Sequence, residues 1–139
     1  MPSFSKKSKA ILATCDPDIQ AVLNLAITRT DFTVLYGTRT EEEQFKLFKI
    51  GRKLVKGVWT IIGKTVTNLD GKVKKSKHNY SPSLAVDVAP YPIDWDDISR
   101  FKRLASIIKE CAEELDIEIV WGGDWKMRDY PHFEIKDKK

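Results

Sequence analysis

Apolar residues recur along this chain at spacings that distinguish helices from strands. Between residues 95 and 115 they fall three and four positions apart, which predicts an amphipathic helix. Asp16 followed by Pro17 predicts the start of an earlier helix, with aspartate as the N-cap and proline in the first turn. Thr40 and Glu43 have the spacing of a capping box and predict a third helix that ends near residue 48.

Short runs rich in β-branched and aromatic residues predict the strands. They cover residues 32–36, 84–89, 117–121 and 132–135, and a weaker pattern predicts a hairpin that pairs residues 58–62 with 64–67 around Gly63. This order of elements predicts an α+β fold, with a small, mainly antiparallel sheet and helices packed on one side of it. At 139 residues the chain is expected to form one domain, residues 1–139.

The composition, 42% hydrophobic and 32% charged, is typical of a globular protein. No run approaches the roughly 18 apolar residues of a membrane span, and residues 1–7 lack the apolar core of a signal peptide. We therefore expect a protein that stays in the cytoplasm unless something releases it. Cys15 and Cys111 lie far apart in the sequence, so neither a disulfide framework nor a cysteine-type zinc site is indicated.

The charge of the chain limits the classes of partner that we expect. A net charge of +4 and a pI near 9.0 favour an anionic partner, whether nucleic acid, a membrane surface or a cell-wall polymer. The basic residues concentrate in residues 6–9, 72–77 and 136–139. The alternative is that the charge serves only solubility. The absence of a recognised nucleic-acid-binding motif argues against nucleic acid.

The chain has two histidines, and each lies in a segment that also contains a carboxylate suited to a metal site. His78 precedes Asp87 by nine positions, and His132 lies near the end of the chain. Two imidazoles and one carboxylate are the usual protein ligands of a catalytic zinc ion. Asp87 lies in an apolar predicted strand and needs a partner, which a metal ion, a buried arginine or backbone amides would provide. Taken alone, His78 is typical of a surface histidine and His132 of a hydrogen-bonded core residue.

Two further carboxylates lie close to His132 in the sequence. Asp129, three positions earlier, is placed to act as a general base, or else simply forms a turn. Alternation along a strand puts Glu134 on the same face as His132, where it supports the site, binds substrate or stays exposed. These residues are compatible with a zinc hydrolase, although their pattern is less specific than HExxH.

At these positions the chain resembles the zinc peptidases of the D-alanyl-D-alanine carboxypeptidase family, and most closely the phage endolysins that act as L-alanyl-D-glutamate peptidases. The family pattern, SxHxxGxAxD followed by DxxH or ExxH, is matched by residues 76–78, 85–90 and 129–132. The segments at 36–40, 121–125 (WGGDW) and 131–134 (PHFE) extend the resemblance over about residues 31–135. The chain departs from the pattern in its offset of nine rather than seven positions between His78 and Asp87. A loop between two ligands tolerates such an insertion.

The resemblance implies a role for each matching residue. It assigns zinc binding to His78, Asp87 and His132. It assigns the role of general base to Asp129, and it implies that Arg39 stabilises the developing oxyanion. Ser76 and Trp125 are weaker candidates for contact with the substrate.

The implied activity is zinc-dependent hydrolysis of the peptidoglycan stem peptide, with the L-Ala–D-Glu bond as the expected point of cleavage. Two alternatives stay open: a D,D-carboxypeptidase or dipeptidase that acts on D-Ala termini, and a non-catalytic wall-binding domain that keeps zinc as a structural element. We expect a monomer that inserts in no membrane, waits in the host cytoplasm and acts on the wall after the membrane is permeabilised.

Overall fold

The computed structural model describes residues 2–136 of the chain. The helices are α1 (Lys6–Leu12), α2 (Pro17–Ala26), α3 (Glu41–Lys49) and α4 (Ile98–Glu114). The strands are β1 (Phe32–Tyr36), β2 (Arg52–Val55), β3 (Val58–Ile61), β4 (Ala85–Pro90), β5 (Ile119–Trp121) and β6 (His132–Ile135). Residues 137–139 of the basic tail lie outside the described residues. Within residues 2–136, no helix is long and apolar enough to cross a membrane.

Four of the strands form one antiparallel sheet in the order β1–β4–β6–β5. The central pair, β4 and β6, sets Asp87 directly opposite His132 and Ala85 opposite Glu134. Residues that face each other across an antiparallel pair share one side of the sheet. This arrangement confirms the predicted α+β fold and its antiparallel sheet.

The two faces of this sheet differ in chemistry because side chains alternate along each strand. One face packs against α1, α2 and α4 in the hydrophobic core. The opposite face carries Asp87, His132 and Glu134. Residues of α3 line the cleft on this side, and α3 in turn contacts the β2–β3 hairpin. Cys15 and Cys111 are free and buried, and both lie in the core. The residues of β4 and β6 that point into the core are Val86, Val88, Phe133 and Ile135.

The capping residues begin the helices where the sequence predicts them. The Asp16 carboxylate accepts a backbone N–H of α2, and Thr40 and Glu43 form both hydrogen bonds of the capping box on α3. The fourth helix begins three residues later than predicted because the Asp97 carboxylate caps it, accepting the Arg100 N–H at 3.4 Å.

The structure differs from the sequence prediction in two of the less regular segments. The hairpin around Gly63 is wrong: β2 and β3 turn at Lys56 and Gly57, whose φ angles of 49° and 79° suit a tight two-residue hairpin turn. Residues 64–67 therefore form no strand. The helix α1 is absent from the sequence prediction because its seven residues are too few to show an apolar period. Ser5 caps it by accepting the Ser8 N–H at 3.1 Å.

Candidate metal centre and active-site cleft

Three side chains converge on the face of the sheet opposite the helical core. His78 Nε2 lies 3.3 Å from His132 Nδ1 and 3.4 Å from Asp87 Oδ1, and His132 Nδ1 lies 3.2 Å from the same oxygen. Both histidines are buried, and the carboxylate is partly buried. Among residues 2–136 this is the one group of histidine, cysteine or acidic side chains whose donor atoms are placed to hold a metal ion.

The spacing of these three atoms fits a transition-metal ion. Each corner of a triangle with sides near 3.3 Å lies about 1.9 Å from its centre, close to the roughly 2.0–2.2 Å bonds that zinc makes to nitrogen and oxygen. Imidazole and carboxylate suit zinc and its neighbours in the first transition row. Three protein ligands also leave a coordination position open, as catalytic zinc sites do and structural ones do not.

Hydrogen bonds fix which nitrogen of each imidazole faces the centre. His78 Nδ1 lies 2.7 Å from the Gly37 carbonyl oxygen and donates its proton there. His132 Nε2 lies 2.8 Å from Glu134 Oε1 and donates to that carboxylate. When a metal ion is bound, the other nitrogen of each ring would present its lone pair to the centre, and His132 Nδ1 would then give up the proton that it otherwise shares with Asp87. Partners of this kind orient a metal-binding imidazole and raise its basicity.

Glu134 is a structural partner of His132 and not an exposed strand carboxylate. Its side chain is 16% exposed and forms an ion pair with Lys77 Nζ at 3.1 Å. Lys77 also donates to the Ile135 carbonyl and so ties the segment before His78 to β6. Burial alone would raise the pKa of Glu134, but the hydrogen bonds from His132 and Lys77 lower it below its usual value. The carboxylate therefore stays ionised opposite His132.

The partly buried Asp87 has several cationic or proton-donating neighbours. Burial alone would raise its pKa, but hydrogen bonds with His132 and His78 hold it well below the usual range. Burial opposes protonation of His132 in the same way, and its bonds to Asp87 and Glu134 outweigh this and raise its pKa to about 9. Arg39 Nη2 lies 3.9 Å from Asp87 Oδ2. An arginine and a metal ion are thus compatible partners of this carboxylate.

Gln44 holds Arg39 in place and was missed by the sequence analysis. Arg39 Nη1 donates to Gln44 Oε1 at 2.8 Å, and the Gln44 amide donates to the Leu69 carbonyl at 2.8 Å. The Gln44 side chain is fully buried in α3. A Cβ on Gly71 would meet the Gln44 Cβ at 2.9 Å, so the loop can approach α3 only with glycine there. The available signal was one uncharged amide on the inner face of a helix otherwise rich in charge.

Asp129 lies at the mouth of the cleft, next to His132 through the backbone. Its carbonyl accepts the His132 N–H at 3.2 Å, and its own N–H donates to the Gly122 carbonyl at 2.9 Å. A Cβ on Gly122 would meet the Cβ atoms of Asp129 and His132, both at 3.0 Å, so this glycine allows the two to approach. The pKa of Asp129 is raised, first by partial burial and then by the negative charge of Asp87.

The two weaker substrate candidates differ in their surroundings. Ser76 is buried, and its hydroxyl accepts the His78 N–H at 3.2 Å, so it caps the 3-10 turn Lys77–Asn79 and positions the histidine. The Trp125 ring lies 4.9 Å from the His132 ring and remains 37% exposed. Both line a cleft of about 870 Å³ that also contains the metal-ligand candidates, Arg39 and Asp129.

Comparison with known proteins shows that this fold is that of a peptidase. Residues 2–139 match the family described as phage L-alanyl-D-glutamate peptidase. The L-alanyl-D-glutamate peptidase of Escherichia phage T5 is 30% identical in an alignment that covers 96% of this chain and 88% of that protein. The Serratia marcescens L-Ala D-Glu endopeptidase ChiX has a crystal structure that matches with a TM-score of 0.73 and 25% identity, covering 96% of this chain and 89% of that one.

The chain therefore belongs to the phage L-alanyl-D-glutamate peptidase family. The wider link to D-alanyl-D-alanine carboxypeptidases depends on the motifs at residues 76–90 and 129–132 and stays a prediction.

Proposed function

We propose that this protein is a zinc-dependent endopeptidase that cleaves the L-Ala–D-Glu bond of the peptidoglycan stem peptide. The observation that carries the proposal is the convergence of three donor atoms within 3.4 Å of one another, beside Asp129 and Arg39 in one cleft. Membership of the L-alanyl-D-glutamate peptidase family supports the choice of bond. The proposed zinc ligands are His78, Asp87 and His132.

When bound, zinc supplies Lewis-acid polarisation of the scissile carbonyl and lowers the pKa of water to about 7. Asp129 is the candidate base because its raised pKa brings it closer to neutral pH. It takes a proton from the attacking water and returns it to the leaving amine of D-Glu. Arg39, held by Gln44, offers a fixed positive charge to the oxyanion that develops on the carbonyl.

The remaining side chains of the cleft position these groups and the substrate. Ser76 orients His78 and Glu134 orients His132, whereas Trp125 offers an exposed ring against which part of the stem peptide packs. We also propose that the chain works as one domain, because a single core runs from Phe4 to Ile135. As a phage-type enzyme it reaches the wall from the host cytoplasm once the membrane is permeabilised.

The decisive experiment is digestion of purified peptidoglycan by the zinc-loaded protein, with the fragments identified by mass spectrometry. Fragments with a new N-terminal D-Glu are expected. Release of D-Ala alone would instead indicate that the protein is a carboxypeptidase. If the zinc-loaded protein released no fragments, a wall-binding domain would be favoured.

The catalytic role of Asp129 is tested by Asp129→Asn, which should abolish fragment release and leave the zinc content unchanged. Asp124→Asn is the matched control, because it removes the same charge from a surface carboxylate that pairs with Lys109 at 2.6 Å. Equal loss of activity in both variants would contradict the role of Asp129.

A further inference from the structure

Two cations in the active-site cleft have no partner among the residues that the structure describes. Lys75 and Arg128 both line the cleft and are exposed. Within residues 2–136 the side chain of neither residue forms an ion pair or hydrogen bond. The other cations of the cleft are already engaged, Arg39 by Gln44 and Asp87 and Lys77 by Glu134. The cleft thus offers two positive charges to whatever enters it.

These two residues lie next to the groups proposed to do the chemistry. Lys75 immediately precedes Ser76, the cap that orients His78, and Arg128 immediately precedes Asp129. Both therefore line the same cleft as the proposed ligands and base, Lys75 on the segment that leads to a metal ligand and Arg128 on the segment that carries the base. Exposed apolar side chains of Val66, Trp125 and Met127 line the same cleft.

The proposed substrate carries the matching charge. A D-glutamate residue continues the stem peptide through one of its carboxyl groups, and its second carboxyl is either free or amidated. We propose that Lys75 and Arg128 form a carboxylate-binding subsite that recognises the free carboxylate of the D-Glu on the leaving side of the scissile bond. This inference rests on the proposed endopeptidase function and adds a preference for acidic over amidated stem peptides.

The preference should be modest and sensitive to salt. Exposed ion pairs are individually weak, and two acting together give roughly tenfold discrimination, equivalent to about 1.4 kcal/mol. Because both side chains are exposed, ions in solution screen them over a distance of about 8–10 Å at 0.10–0.15 M salt. Arginine can also bind a carboxylate through two parallel hydrogen bonds, so Arg128 should contribute the larger share.

The test compares two synthetic muropeptides that differ only in the second carboxyl of D-Glu, free in one and amidated in the other. For the zinc-loaded protein, kcat/KM should be about tenfold higher for the acid, and the ratio should decrease as salt increases. In Lys75→Met/Arg128→Met the ratio should approach one, mainly through slower cleavage of the acid.

The matched control is Lys74→Met/Lys126→Met, which removes two positive charges from the same two segments outside the cleft lining. It should keep the preference of the unmodified protein, which separates local recognition from the general attraction of a basic chain. Zinc content and melting temperature of both double variants should match those of the parent, because all four side chains are exposed.

The outcomes distinguish this inference from the function on which it rests. Equal cleavage of acid and amide by the unmodified protein would overturn the subsite and leave the endopeptidase standing. A preference that persists in Lys75→Met/Arg128→Met would assign the recognition to other groups and also overturn it. Cleavage of neither muropeptide would overturn the proposed function and the subsite with it.

Discussion

Replacing Glu134 by alanine is expected to weaken metal binding without altering a proposed ligand. The change removes the acceptor 2.8 Å from His132 Nε2 and leaves Lys77 without its ion-pair partner. The His132 ring then loses both the group that fixes its orientation and the one that selects its tautomer. Since Nδ1 is the nitrogen that faces Asp87 and His78, each of these losses acts on the ligand atom.

The size of the effect follows from the surroundings of this hydrogen bond. Glu134 is 16% exposed and ionised, so the bond has the value of a charged, partly buried one, about 1.5–3 kcal/mol. Loss of comparable partners behind metal-binding histidines weakens metal affinity roughly 10–100-fold, which agrees with that range. Glu134→Gln keeps an oxygen acceptor and loses only the charge and the Lys77 pair, so its effect should be less than about tenfold.

The assay is competition for zinc between each variant and a chromophoric chelator of known affinity. The control is Glu118→Ala, which removes an exposed carboxylate just before the neighbouring strand β5. We expect the dissociation constant for zinc to be highest for Glu134→Ala, lower for Glu134→Gln, and lowest for Glu118→Ala and the parent, which should be equal. A zinc affinity of folded Glu134→Ala within twofold of the parent would refute this expectation.

Four further predictions follow from the same contacts. Asp129→Asn should lower kcat by about 10²–10⁴-fold with zinc affinity unchanged, and an unaltered kcat would exclude Asp129 as the base. Gln44→Leu leaves the partly buried Leu69 carbonyl unpaired and releases Arg39. Thermal unfolding should therefore show a loss of about 1–3 kcal/mol in stability, together with a lower kcat. A change in stability alone would contradict the link to Arg39. Chelation of zinc should lower the melting temperature, and zinc at 100 times its dissociation constant should restore about 2.7 kcal/mol of the free energy of unfolding. An unchanged melting temperature would argue against the metal site. Hydrogen bonds with Thr40 lower the pKa of Glu43. Its contribution to stability is therefore present above the pKa of the unfolded chain, about 4.3, and is lost as the pH falls through the pKa of the folded protein. The difference in melting temperature between Glu43→Ala and the parent should become smaller in acid, and a constant difference would contradict this prediction.

The strands that carry the site could be predicted because their side chains alternate. Period two along residues 132–135 put His132 and Glu134 on one face, and the structure places both there with a hydrogen bond between them. The acid in the apolar run of β4 was recognisable for the same reason, since Asp87 interrupts a buried pattern. Helix caps at Asp16 and Thr40 were equally local, because each depends on residues no more than three positions apart.

The partners that orient the site could not be predicted because they are distant in sequence. The Gly37 carbonyl oxygen accepts a hydrogen bond from His78, which lies 41 positions away in the sequence. A backbone carbonyl has no side chain that would indicate this role. Gln44 contacts a loop 25 positions further on through the Leu69 carbonyl. Backbone acceptors of this kind leave no mark in the pattern of apolar and polar residues, so only the fold identifies them.

The long offset between His78 and Asp87 illustrates how the fold, and not the count of residues, sets the spacing of ligands. The Leu84 N–H donates to the Lys77 carbonyl at 3.0 Å and closes the intervening loop directly beside the histidine. Ser83 docks this loop on the connection between α1 and α2, donating to the Thr14 carbonyl at 2.8 Å and accepting the Asp16 N–H at 2.8 Å. Extra residues therefore lengthen only the loop between Lys77 and Leu84. His78 stays where its bond to Gly37 holds it, and Asp87 stays in β4. The segment that receives the loop begins at the end of α1, the one helix that the sequence pattern did not predict, so the departure from the family motif became interpretable only in three dimensions.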